Sequence, residues 1–240
     1  MSPGAAYTAA ADRLARRVLG ALRGAEDTAS AAPDPADDLA DLAAYRLVGA
    51  DLFSPHVLTG LPFPAEDAAA VARSFEAFPP AVAGPGTRAG AHAVAWQDWA
   101  TARLLSRIGG GAPPVSAVPP ESDSTLTDSS DWPRWCVRMA QLSPLATPAL
   151  QGPVHDAARA APLALCRGLT RSILRHDFPT AARVLRWLAL LRHEGAGLPL
   201  DPLTALEHIQ LLGVHGPRTD LDLAVSRHLL SPAPRATAGP

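Results

Sequence analysis

Residues 153–194 read PVHDAARAAPLALCRGLTRSILRHDFPTAARVLRWLALLRHE, the most apolar part of the chain and also the most basic. In its second half, Val184, Leu185, Trp187, Leu188, Leu190 and Leu191 are apolar, and Arg183, Arg186 and His193 lie roughly on one face, at steps near three and four. A helix with so thin a polar stripe is buried on most of its sides. Pro179 stands where a first helical turn tolerates proline, and Gly195 and Gly197 supply a stop. Thr180–His193 is therefore predicted to be the central core helix.

The first half carries Leu165, Leu169 and Ile173 every four residues, with Cys166 and Leu174 alongside. Arg167, Arg171 and Arg175 recur at the same step about a third of a turn away. The spacing predicts an amphipathic helix with an arginine ridge. Pro162 falls inside it, and no Ser, Thr, Asp or Asn precedes it to restart a helix, which predicts a kink rather than a break.

Charge sets this region apart. Between Arg134 and Arg192 nine arginines face two aspartates, a net of +7. Residues 1–133 carry nine arginines and sixteen acids, a net of −7. An overall charge of −2 thus conceals a strong dipole along the chain.

The 240 residues suffice for one large domain or two small ones. Lys and Asn are absent, Ile occurs three times, and Ala, Arg, Pro and Gly are abundant. That is the composition of a high-GC genome such as an actinomycete's, so the use of Arg in place of Lys is no evidence for bidentate phosphate binding. Cys136 and Cys166 lack metal-like spacing and read as buried reduced thiols. No run reaches the length of a membrane span, and Asp12, Arg13, Arg16 and Arg17 interrupt the N-terminal region early. The expected location is the cytoplasm, with no membrane partner.

Helix-period segments separated by Pro- and Gly-rich breakers run the length of the chain: about Thr8–Arg23, Ala36–Phe53, Glu66–Phe78, Ala91–Ile108, a short helix from Trp132, then Leu203–Leu212 and Asp220–Leu230. In the second, Leu39, Leu42, Leu47 and Tyr45 are expected inside. Ser54-Pro55 and Thr147-Pro148 read as caps followed by a first-turn proline, and Thr219 as the cap of the last helix. Strict alternation is nowhere sustained. The fold class is all-α: an antiparallel helical bundle or α-hairpin array of about eight to nine helices with no sheet. Residues 1–108 form an acidic helical half, 109–131 a Pro/Gly/Ser-rich linker or loop, 132–230 a basic helical half and 231–240 a loose tail.

Two short patterns carry possible metal chemistry. Asp37, Asp38 and Asp41 place carboxylates one turn apart, able to share Mg²⁺ ions on a diphosphate. This resembles the aspartate-rich motif of isoprenoid and terpene synthases; the same acids also suit a helix first turn. His155, His176 and Asp177, with Asp220 as a closing ligand, offer nitrogen and oxygen donors that would activate water against a phosphate ester. This pattern resembles that of HD-type metal phosphohydrolases, and the resemblance implies a divalent metal. The alternative is that His176 ends one helix and Asp177 begins the next. His193, His208 and His215 have no ligand spacing and read as surface or helix-end groups.

The arginine ridge carries the most weight. Arg167, Arg171, Arg175, Arg183 and Arg186, with Trp132 and Trp135 as a peptide-binding edge, predict an anion-binding surface. No nucleic-acid motif and no aromatic interleaving accompany it. The sequence thus points to a non-catalytic helical binding or accessory protein without a cofactor. It would recognise an acidic protein or peptide, in an actinomycete biosynthetic pathway.

Overall fold

Each helix of the C-terminal half begins on a proline or next to one, and that rule fixes the architecture. The computed structural model describes residues 3–24, 39–80, 89–109, 119–120, 124–213 and 216–231. Helix α1 spans Pro3–Leu22, and α2 (Leu39–Val48) passes through a 3₁₀ turn, Gly49–Phe53, into α3 (Ser54–Thr59). Helices α4 (Ala65–Ala77) and α5 (Ala89–Ile108) follow. After α6 (Ser124–Thr127) come α7 (Trp132–Gln141) and a 3₁₀ turn, Ser143–Leu145. Helices α8 (Pro153–Ala160), α9 (Pro162–Leu174), α10 (Phe178–His193), α11 (Pro202–Leu212) and α12 (Pro217–Leu230) complete the chain. Among the described residues there is no strand, and no helix is long and apolar enough to cross a membrane. The fold is all-α.

Helix α10 sits at the centre, packed against α7, α9, α11 and α12. Helix α12 packs in turn on α1, α1 on α2, and α2 on α4. One hydrophobic cluster runs through both halves, from Ala10 to Leu229. Ala181, Val184, Leu185, Trp187 and Leu188 of α10 are wholly enclosed. Burying a Val or Leu side chain stabilises the fold by about 1.5–3 kcal/mol, so α10 anchors the core as its composition predicts.

Several boundaries differ from the sequence reading. Pro162 breaks the chain into α8 and α9 instead of kinking one helix. A proline disfavours helical backbone at the residue before it, and Ala161 leaves the helix at φ −131°, ψ 49°. Ser54 lies inside α3 with helical dihedrals and caps nothing; Phe53 precedes the helix. Thr147-Pro148 forms a turn, and the next helix starts only at Pro153 after Gly152. Thr219 is buried in the first turn of α12, which begins behind Gly216. Leu39 and Leu47 are exposed; the inner face of α2 is built from Ala40, Ala43, Ala44 and Val48, with Tyr45 buried as expected. Asp37, Asp38, His215, most of the 109–131 segment and the tail beyond Ser231 lie outside the described residues.

Two helix ends bear on the site. Helix α10 closes with Gly195 at φ 88°; the Gly195 amide donates to the Arg192 carbonyl, and the Ala196 amide to that of Leu191. Helix α9 closes in the same paired-bond pattern, the His176 amide donating to Ile173 and the Asp177 amide to Ser172. Here a histidine, His176, occupies the left-handed position at φ 57°.

Candidate binding surface

Helix α9 and the start of α7 build a cationic cleft. Arg167, Arg171 and Arg175 are exposed along one side of α9, four residues apart. Gly168 lets the two helices approach: a Cβ there would meet the Cys136 side chain well inside van der Waals contact, with Cys136 Cβ at 2.8 Å. At the mouth, the Arg171 guanidinium lies 5.8 Å from the centroid of the Trp132 ring, a cation–π approach. The cleft encloses about 270 Å³, lined by Trp132, Pro133, Val137, Arg171, Arg175 and Asp177, among others. Val137 and Leu174 leave apolar surface beside the arginines; Leu174 is 75% exposed.

No acid among the described residues pairs with Arg167, Arg171 or Arg175. The acid closest at hand in the lining, Asp177, is engaged locally. Its carboxylate accepts from the Thr180 amide at 3.2 Å and caps α10. Cys136 forms part of the floor as a neutral thiol. Burial pushes it up to about 12, and its Sγ donates to the Ala164 carbonyl at 3.2 Å. Cys166 is likewise buried and shifted upward by burial. Neither has the depressed pKa of a nucleophile.

The five-arginine ridge is divided. Arg186 is 0% exposed and cannot meet a partner: its Nη1 donates to Asp51 at 2.7 Å and to Asp222 at 2.9 Å. A guanidinium stays charged in proteins, so two acids brought from distant segments hold it in the core. Arg183 turns the same way, its Nε 3.8 Å from Asp222. Trp135 is also removed from the predicted edge. It is 3% exposed, and its Nε1 donates to the Leu126 carbonyl at 2.7 Å, anchoring α6 within the segment read as a linker.

The His155, His176, Asp177 and Asp220 set does not assemble a metal site among the described residues. His155 is buried; its Nε2 donates to the Leu145 carbonyl at 2.9 Å and its ring packs edge-on to Trp187. Burial pushes its pKa down to about 4. His176 and Asp177 are helix-end groups, and Asp220 lies in the first turn of α12. Asp41 pairs with Arg13 at 2.9 Å. Among the described residues, no three His, Cys, Asp or Glu side chains are placed to share a metal ion.

A second cleft, of about 250 Å³, opens where the two halves meet. Asp51, Arg183, Arg218 and Asp222 contribute its charges, and Leu47 and Val94 its apolar wall. Nothing in the sequence marks it. Its residues run from Ala15 to Asp222 and share no motif; Arg218, for instance, donates to the Leu47 carbonyl, 171 positions away, at 3.3 Å.

No family model matches the chain, and no curated protein or solved structure matches it significantly.

Proposed function

We propose that this is a non-catalytic helical binding protein, active in the cytoplasm, whose α7–α9 cleft holds an acidic segment of a protein partner. One observation carries the reading. Three arginines at one-turn spacing stand exposed on a single helix side, unpaired with any acid among the described residues, beside a half-buried tryptophan. Arg159, by contrast, is paired with Glu194 at 2.8 Å. Arg167, Arg171 and Arg175 supply steering and register for carboxylates, and Trp132, Val137 and Leu174 supply the apolar contact that slows dissociation. Arg183 and Arg186 take no part.

The test is fluorescence anisotropy with a labelled peptide alternating Glu and Leu, against a Lys/Leu peptide of equal length. The Glu/Leu peptide is expected to bind with an affinity that falls as salt rises, and Arg171→Glu/Arg175→Glu to weaken it at least tenfold, since each charge-assisted bond is worth about 1.5–3 kcal/mol. Equal affinity for both peptides, or an unchanged affinity in the folded double variant, would overturn the reading.

A further inference from the structure

We propose that the junction cleft is a second ligand site, and that it takes a small monocarboxylate with an aliphatic body. The cleft is walled by α2, α5, α7, α10 and α12, and it lies apart from the α7–α9 surface: the two share no lining residue. Clefts between helices are a usual place for small-molecule sites in helical proteins. This one is chemically specific in three respects.

The first is charge. The cleft's own Arg183 and Arg218 balance Asp51 and Asp222, and Arg186, sealed behind the lining and bound to both acids, makes three positive groups against two negative ones. One negative charge completes it. A dianion such as phosphate would add a charge beside two carboxylates already there.

The second is the free donors. Arg183 approaches Asp222 through Nε, and Arg218 meets the Leu47 carbonyl through Nη2. Among the described residues the Nη atoms of Arg183 have no protein partner, and both arginines are among the residues that line the cavity. Paired N–H donors of this kind match a carboxylate. Asp222 acts as a positioning residue for Arg183, and it is itself fixed by Arg186.

The third is the wall opposite. Leu47 and Val94 are both left substantially exposed where they line the cleft, with Ala93 and Leu221 beside them. These surfaces suit a short branched hydrocarbon. At about 30 Å³ for each water-sized position, a cavity of about 250 Å³ admits on the order of eight non-hydrogen atoms.

Calorimetric titration of the full chain with sodium 4-methylpentanoate tests the assignment, with isopentylamine, sodium phosphate and sodium chloride as separate arms. The carboxylate is expected to bind and the amine not to. Arg183→Gln and Arg218→Gln should each weaken binding roughly tenfold, as expected for loss of a charge-assisted contact. Val94→Phe should abolish binding by filling the cavity while leaving every charge in place. Arg171→Gln, in the other cleft, should leave it unchanged. The proposal is overturned if 4-methylpentanoate gives no binding heat, if phosphate or chloride binds as tightly, or if both arginine variants, folded as judged by circular dichroism, keep the native affinity.

Discussion

His155 illustrates how one buried side chain sets a pH limit on the fold. Its Nε2–H is committed to the Leu145 carbonyl, and burial depresses its pKa from 6.5 to about 4. The unfolded chain therefore binds a proton that the folded chain refuses. The stabilising difference is complete above about pH 6.5 and is lost as the pH falls toward 4, an effect on the order of 2–3 kcal/mol. His155→Gln retains an N–H for the carbonyl but does not titrate. Urea unfolding at pH 7 and pH 4.5 should show the native protein losing more stability than the variant; equal losses would dismiss His155 as the source. The sequence offered no way to see this role. His155 resembled a ligand because it preceded another histidine by 21 positions, whereas its burial depends on Trp187 and a carbonyl supplied by separate turns.

At the scale of elements, the core helix was legible in its apolar pattern, whereas most helix caps were not. The Thr180–His193 pattern located α10, and its glycine stop is the left-handed Gly195. The His176–Asp177 boundary stood in the sequence only as the alternative to a metal-ligand pair, and the Asp177 cap emerges from its bond to the Thr180 amide. Pro162 was misread because a kink and a break share one spelling, and the outcome depends on the backbone of Ala161. The α9 terminus now makes a quantitative prediction. An L-residue in left-handed conformation costs about 1–2 kcal/mol, and glycine returns about 0.4–1 kcal/mol of that through its freer unfolded chain. His176→Gly should therefore stabilise the protein by about 0.5–1 kcal/mol, a rise of roughly 1–4 °C in Tm for a chain of this size. A fall in Tm on calorimetry would mean that the His176 ring, 5.8 Å from that of Phe178, contributes more than the strain costs.

At the scale of the whole molecule, the opposite charges of the two halves are partly spent in joining them. Asp51 belongs to the acidic half and Arg186 to the basic one, and their ion pair lies in the core between them. The charge imbalance was plain in the sequence, but which arginine would be sealed and which left exposed was not. Both kinds sit at helical spacing on neighbouring segments, and only the arrival of Asp51 and Asp222 separates them. Arg186→Met should destabilise by about 3–5 kcal/mol, because the buried Asp222 and the partly buried Asp51 then lose the cation that joins them. Arg186→Met/Asp51→Asn/Asp222→Asn should recover a large part of that loss. Thermal unfolding followed by tryptophan fluorescence reads both variants; a triple variant no more stable than the single one would place the cost in packing around residue 186 rather than in uncompensated charge.

Arg186 also ties three distant parts of the chain together. Its two acids lie 135 positions before it and 36 after it. The α9–α10 hairpin forms from near neighbours, but its charged centre remains hydrated until both distant carboxylates dock. Closing so long a loop carries an entropic penalty that grows with the logarithm of its length, and non-local closure of this kind slows folding. Sealing this guanidinium needs residues 51 and 222 both in place, so it is expected among the later steps of folding.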